Sequence, residues 1–395
     1  MNLRKICRSS LLLVAAFLTA TAANAAVHRV HEGQSIQAAI DAASPGDTIL
    51  VDPGEYREAG ADFGLRVSTD NLRLIGKVRR GLGEAGKVRL IQDGTQHTGV
   101  YAAPAACGPD VHVGDCPDEL SGFYIRGFTV EDFPRNGIQT RFVDGFKIVR
   151  NESARNLHNG IYPTISANGL VMNNVSYGSE DTAMWVAASQ RVRVIGNDLY
   201  DSVIGLEVNV SLDIQVVHND IHHNTVGVGL FHPNSAGNRQ LPVMGNWVVT
   251  HNDIYENNTP NFAPPDSFQA GLPSGVGILV LGVSENVIAK NDVAGNDYVG
   301  IGVLGWCTAT STNPDRNCFV DAPQADPAVN DNLVAKNNVN GNGLNPPGGP
   351  LDFLAADLTY FEAEGSSGNC FVDNKPAGYT YVSSEPDGEL PTDGC

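Results

Sequence analysis

Arg135, His158 and Asp181 stand 23 residues apart, and Gln139, Tyr162 and Trp185 follow them at a constant offset, a series that Glu207 continues 22 residues further on. Arg141 begins a third series, which passes through Thr164 and Ala187 to Asn209. A histidine beside an aspartate is the pairing that orients an imidazole for proton transfer. An arginine such as Arg141 can neutralise a sugar carboxylate and so ease removal of the adjacent ring proton. Tyr162 and Trp185 offer flat faces to sugar rings, and Glu207 is a candidate base or calcium ligand. Glu180 and Asp181 set against Glu207 would also serve as a hydrolytic pair, for which inversion needs carboxyl groups ~6.5–9.5 Å apart. Plainer readings stand beside each of these. Tyr162 and Trp185 could form a satellite core under a loop, His158 could bond backbone at a turn, and Arg141 could be a solvated surface arginine.

Such residues act together only if positions one spacing apart are neighbours in space, and the rest of the sequence says that they are. Asn151, Asn174, Asn197 and Asn219 keep spacings of 23, 23 and 22, and Asn252, Asn291 and Asn337 continue after longer gaps. Gly137, Gly160, Ala183, Gly205 and Gly227 keep the same period. Between the markers lie short alternating stretches rich in β-branched residues, such as 191–195 and 214–217, which read as strands. A unit this short cannot bury its own apolar side chains and must stack on copies of itself. The expected fold is therefore all-β, a right-handed parallel β-helix with coils rising ~4.8 Å each. Asparagine suits the turn because it tolerates the left-handed region and can bond the same amide in the next coil. The rows through Gln139 and Arg141 should face outward, because Ile138, Thr140, Ile161, Pro163, Met184, Val186, Leu206 and Val208 between them are mostly apolar.

A short helix over 35–43, with Ile36, Ala39, Ile40 and Ala43 on one face, is expected to cap the first coil, which starts at Asp47. The solenoid with its cap is expected over 26–345 and a loop-rich cover over 346–395. Residues 232–246, 258–275 and 306–330 break the period without losing the register that follows, and insertions grouped on one side of a solenoid often build a binding face.

Arg4, Lys5 and Arg8, the apolar run 11–18 and then Ala23-Asn24-Ala25 read as a secretory signal over 1–25. Setting those residues aside deepens the formal charge from −19 to −22, which disfavours nucleic acid and anionic membranes as partners. The remaining cysteines pair as neighbours, Cys107 with Cys116, Cys307 with Cys318 and Cys370 with Cys395, as three disulfides of an oxidising compartment. A periplasmic or secreted monomer, with no membrane insertion, is expected.

The segments Ser35-Ile-Gln-Ala-Ala-Ile and Pro45-Gly-Asp-Thr-Ile-Leu-Val-Asp-Pro-Gly-Glu-Tyr56, with coils ending in Val-x-x-Asn, resemble the pectin-lyase-like superfamily. The resemblance spans about residues 30–345 and is specific for fold. It implies activities that range over polysaccharide lyases, uronate epimerases, glycoside hydrolases and proteins with no demonstrated catalysis. The Asp-Pro-His-Asp of mannuronan epimerases is absent, as is the Asn-Thr-Asp, Asp-Asp, Gly-His-Gly series of polygalacturonases. The expected function is a lyase or C5-epimerase acting on a uronate-containing polysaccharide. His158, Tyr162, Asp181, Arg141 and Glu207 would be its catalytic residues. Arg135, Gln139, Trp185, Asn209 and His232 would contact the polysaccharide, with calcium as the candidate cofactor. The alternatives are a non-catalytic binding protein of the envelope and a glycoside hydrolase.

Overall fold

The computed structural model describes residues 25–79, 81, 83–109, 111, 114–231, 244–307, 328–362, 365–392 and 394–395. Short strands rich in Val, Ile and Leu pair side by side and in parallel, as in Asn136–Arg141 on Asn159–Thr164. They assemble into three sheets of 12, 10 and 11 strands, called A, B and C below. Each coil gives one strand to each sheet in turn, for example Val143–Val149 to A, Glu152–Ala154 to B and Asn159–Thr164 to C. The result is an all-β solenoid whose rows of side chains follow the period of the sequence.

Most corners from Arg150 onward share one device, whereas Phe128, Phe133, Val143 and Trp247 take the inward place at four others. A residue in the left-handed region turns the chain, and the next residue sends a small polar side chain inward. Between A and B the turning residues include Arg150, Asn173, His218, His251, Lys290 and Lys336, with φ between 54° and 58°. The inward residues there are Asn151, Asn174, Asn197, Asn219, Asn252, Asn291, Asn337 and Asn374, all buried. Asparagine was expected to take the left-handed conformation itself, and the structure gives that task to its predecessor. The ladder asparagine is thereby free to point inside, where Asn174 N and Nδ2 both donate to Asn197 Oδ1 at 2.9 Å. The corner between B and C repeats the device with Asn156, Ser179, Ser202, Asn224, Asn257, Asn296 and Asn342. The corner between C and A uses Ser166, Ser189 and Ser211 and, in later coils, Asn286, Asn332 and Asn369.

Between the corners the tube is filled by aliphatic side chains, including Ile138, Ile161, Met184, Val186, Leu206 and Val208. Their outward neighbours are the candidate site residues, so the alternation read from the sequence holds on sheet C. The helix Ile36–Asp41 covers the first coil, burying Ile36 and Ile40. Its N-cap Ser35 accepts from Ala38 N at 3.0 Å and donates to Glu58, which also accepts from Ile36 N.

Two boundaries move. The strand Val27–Val30 pairs with Thr48–Val51, so the coils begin before Asp47. At the other end Ala356–Phe361, Cys370–Val372 and Tyr381–Ser383 add rungs to sheets C, A and C, within the stretch expected to be a loop-rich cover. The period is hidden there because Asp357 stands in for the ladder asparagine, accepting from Asn342 N and Nδ2 at 3.0 Å.

Disulfides join Cys107 to Cys116 and Cys370 to Cys395. Cys307 is disulfide-bonded, and Cys318 lies outside the described residues, as do residues 1–24 of the candidate signal. No described helix is long and apolar enough to cross a membrane.

Replacing Asn197 by alanine removes the acceptor of both Asn174 donors and the amide that donates to Val171 O and Asn219 Oδ1. Stranding these buried groups should cost about 2–4 kcal/mol, read as a lowered midpoint in urea denaturation.

Candidate active site

Several of the long departures from the coil path adjoin sheet C. The chain leaves after Ala102 to form the loop stapled by Cys107–Cys116, and 258–275 re-enters the sheet at Val276. These loops wall the middle of sheet C. Toward the C-terminal end its outer face is an apolar satellite core, in which Ile204, Phe231, Leu272, Leu279, Tyr298 and Trp306 pack together, with Phe268 of the 258–275 loop against Phe231 and Trp306. Tyr162 and Trp185 lie outside that core, in the polar stretch between the two loops.

Strand pairing places Gln139 beside Tyr162 and Trp185 beside Glu207, and sets Arg141 beside Thr164 and Ala187 beside Asn209. Arg135, His158 and Asp181 form the column at the strand entry, joined by backbone bonds from His158 N to Arg135 O and from Thr182 N to His158 O. All three rows are where the period puts them. Their exposure is not: Gln139, Arg141, Tyr162, Asp181, Glu207 and Asn209 are each at most 9% exposed, because the loops roof them. Arg135 remains exposed, and His232 lies outside the described residues.

A further column, Asn136, Asn159 and Thr182, joins the others into two hydrogen-bonded runs that meet at the His158–Asp181 contact. Asn136 Nδ2 donates to Gln139 Oε1 at 2.9 Å, and Asn159 Nδ2 lies 3.1 Å from Asn136 Oδ1 and 2.5 Å from His158 Nδ1. Because Nδ1 of His158 accepts, its Nε2 carries the hydrogen and faces Asp181 Oδ2 at 3.5 Å. Thr182 Oγ1 sits 3.1 Å from Asp181 Oδ1 and 3.2 Å from Glu207 Oε2, and Asn209 Nδ2 donates to Glu207 Oε1 at 3.0 Å. Sequence reasoning passed over Asn136 and Asn159 because asparagine already had a structural explanation, although they share the 23-residue spacing. Gln269, which hydrogen-bonds Asp181 from the roofing loop, carried no periodic signal at all.

One hydroxyl has one proton, so Thr182 can bond both carboxyl groups only if one of them is protonated. The electrostatics agree. Burial pushes Asp181 up to about 7, and burial together with the Asp181 charge lifts Glu207 well above the usual carboxylate range. His158 is pushed down to about 4, first by the groove walls around it and then by Arg135, although 43% of its side-chain surface remains exposed. Tyr162 is pushed up to about 12 by burial and keeps its proton. This inverts the expected hierarchy: Asp181, not His158, is the group that changes charge near neutrality, and Thr182 and Gln269 hold it in place.

Two expected roles change. Tyr162 and Trp185 stack on each other at 4.7 Å with planes 12° apart, because one coil's rise equals the stacking distance of two rings. Each uses the face expected to meet a sugar, and the pair presents edges to the groove. Arg141 is no solvated surface group: its Nη2 donates to the Val111 carbonyl of the stapled loop, and its guanidinium lies 5.2 Å from the Phe142 ring. Among the described residues it has no carboxylate partner. Its Nε, the Trp185 Nε1, and the Oδ1 atoms of Asn159 and Asn209 are shielded from solvent and have no hydrogen-bond partner among the described residues.

The protein is thus a right-handed parallel β-helix with a walled polar groove on one sheet. Residues 118–241 match the family "Right handed beta helix region". The fold is similar to that of the A-module of a mannuronan C-5 epimerase of Azotobacter vinelandii, at 15% identity and TM-score 0.54, covering 89% of this chain and 95% of that one. It is similar also to the DFA-IIIase of Arthrobacter chlorophenolicus A6, at 13% identity and TM-score 0.54, covering 93% and 90%. No curated protein matches the sequence.

Asp181 titrates at about 7 when folded and near the ordinary ~3.9 when unfolded, so protonation favours the folded chain. Stability that is full below about pH 4 should decline as pH rises toward 7. The double variant Asp181→Asn, Glu207→Gln should flatten that decline and gain on the order of 1–3 kcal/mol at pH 7, measured by urea denaturation across pH.

Proposed function

We propose that this chain is an exported carbohydrate-active protein that binds a uronate-containing polysaccharide in the groove of sheet C and removes the proton beside the sugar carboxylate. Arg141 is the observation that carries the reading. A guanidinium buried without a carboxylate partner is costly unless an anion completes it, and a sugar carboxylate seated there would become a better electron sink. The C5–H bond then breaks toward Asp181, which Thr182 and Gln269 orient and His158 borders, and the electron pair moves onto the carboxylate. Tyr162, protonated and buried, returns a proton to the opposite face for C5 inversion, or Glu207 protonates the departing oxygen for elimination. Trp185 borders the sugar with its indole edge. Gln139, Asn209 and Arg135 extend the polar contacts along the chain axis. The candidate signal and the disulfides support a periplasmic or secreted location, and the folds similar to this one include an enzyme whose name specifies mannuronan.

A hydrolytic reading is favoured by one feature, the Thr182 bridge, which keeps the facing Asp181 and Glu207 oxygens within about 6 Å of each other. It would produce new reducing ends without unsaturation.

Incubation with mannuronan and other uronate polymers should give either an ultraviolet-absorbing unsaturated product or a change of C5 configuration by NMR. Arg141→Gln should lower kcat/KM by about 10²–10³, and Asp181→Asn by about 10²–10⁴. The activity should fall below pH 7 as Asp181 takes up its proton. Silence in both readouts across the panel would sink the proposal, and reducing ends alone would install the hydrolase.

A further inference from the structure

Sheet B carries a second constellation, on a face that the groove does not use. Tyr177, Tyr200, His222 and Tyr255 occupy one outward row and stack at 4.9, 5.2 and 5.1 Å, which fixes the plane of the His222 ring. Beside it runs a row of aspartates, Asp198, Asp220, Asp253 and Asp292, paired coil to coil by the register. Among the described residues none of the four has an ion pair with lysine or arginine. Like charges stacked about 5 Å apart repel and call for a cation.

Donor atoms of Asp198, Asp220 and His222 all lie within 4.8 Å of one another. His222 Nε2 is 3.2 Å from Asp198 Oδ1. With ligand bonds of about 2.1 Å, that edge subtends an angle of roughly 100° at a shared cation, close to tetrahedral. Asp220 Oδ1 is shielded from solvent and has no hydrogen-bond partner, and a swing of its carboxylate closes the set.

The protons sharpen the case. His222 Nδ1 and His223 Nδ1 face each other at 2.7 Å, so one must donate and the other accept. His223 Nε2 in turn faces Glu256 Oε2 at 3.3 Å. If His222 Nδ1 carries the hydrogen, its Nε2 lone pair points at Asp198. If His223 donates instead, the His223 Nε2 lone pair points at Glu256. Either neutral arrangement aims a lone pair at a carboxylate, and a cation on Nε2 of His222 removes the conflict. His222 Nδ1–H then donates to His223, and His223 Nε2–H to Glu256, the outer support that metal-bound histidines characteristically have.

We propose that Asp198, Asp220 and His222 form a binding site for a divalent first-row transition ion of the zinc class, with His223 and Glu256 as positioning residues. Imidazole among the donors favours zinc over calcium. Three protein ligands leave one position for water or another donor. Binding ties together the coils on either side of the strand Ile204–Asn209, which carries Glu207.

The test is calorimetric titration of zinc chloride alone into the metal-free full chain, with calcium chloride as a separate arm. One equivalent of zinc should bind, and the thermal midpoint should rise. His222→Tyr keeps the aromatic stack, since tyrosines flank it on both sides, and should weaken zinc at least tenfold, as should Asp220→Asn. His223→Gln should weaken it by about 10–100-fold through the lost outer bond. Metal-free thermal midpoints of the variants verify folding. No saturable zinc binding, or zinc affinity unchanged in both His222→Tyr and Asp220→Asn, overturns the site, and a calcium isotherm indifferent to His222 overturns its class.

Discussion

The inward polar ladder that runs through the corners from Asn151 onward is the interaction on which the molecule depends. A coil of 22 or 23 residues must bend three times, and each bend turns backbone donors and acceptors away from the sheets into an otherwise aliphatic tube. Unpaired groups there would cost about 1–3 kcal/mol each. Asn174 meets this by donating twice to Asn197 and once to the Ile148 carbonyl, and the pattern passes from coil to coil. Any coil that lost its turn would strand the groups of both neighbours. This is why the spacing is kept so closely and why insertions enter only where they leave the ladders intact.

The same register builds both candidate faces. A rise of ~4.8 Å per coil is a hydrogen-bonding distance plus a little, and also an aromatic stacking distance. Side chains in one row therefore either bond, stack or repel. On sheet C the rows interlock, so that Gln139, Asn136, Asn159, His158, Asp181, Thr182, Glu207 and Asn209 form two hydrogen-bonded runs that meet at the His158–Asp181 contact. On sheet B the aspartate row repels, which favours a bound cation. The backbone at the far edge of the groove turns on Ile165, Ala188 and Val210, at φ 47° to 48°. Two of these are β-branched residues in the left-handed region, where they are strained. Strain of this kind beside a polar groove fits a surface shaped for ligand as well as for stability.

What distinguishes the groove from the other faces is its roof. Water withdrawn by the stapled loop and by 258–275 raises the proton affinity of Asp181 and Glu207, and leaves Arg141 buried with no carboxylate partner among the described residues. An open sheet bearing the same residues would hold ordinary carboxylates and a hydrated arginine. Burial, more than residue identity, sets the chemistry.

The sequence by itself determined the solenoid, its register and the three rows of the candidate site. Period and alternation are local properties: Asn151 to Asn219 and Gly137 to Gly227 report them without any long-range contact. It also pointed to sheet C, since the breaks at 232, 258 and 306 all fall beside that strand. Hidden from it were features created by the third dimension. The left-handed turn belongs to the residue before each ladder asparagine, and Asp357 can replace an asparagine without being one. Tyr162 and Trp185 spend their faces on each other because the rise happens to match a ring's thickness. Only the folded chain decides that Gln269 reaches Asp181, that Val111 covers Arg141, and hence that a carboxyl group titrates near neutrality. Those loops lack periodicity, and protonation follows the surroundings that tertiary packing supplies.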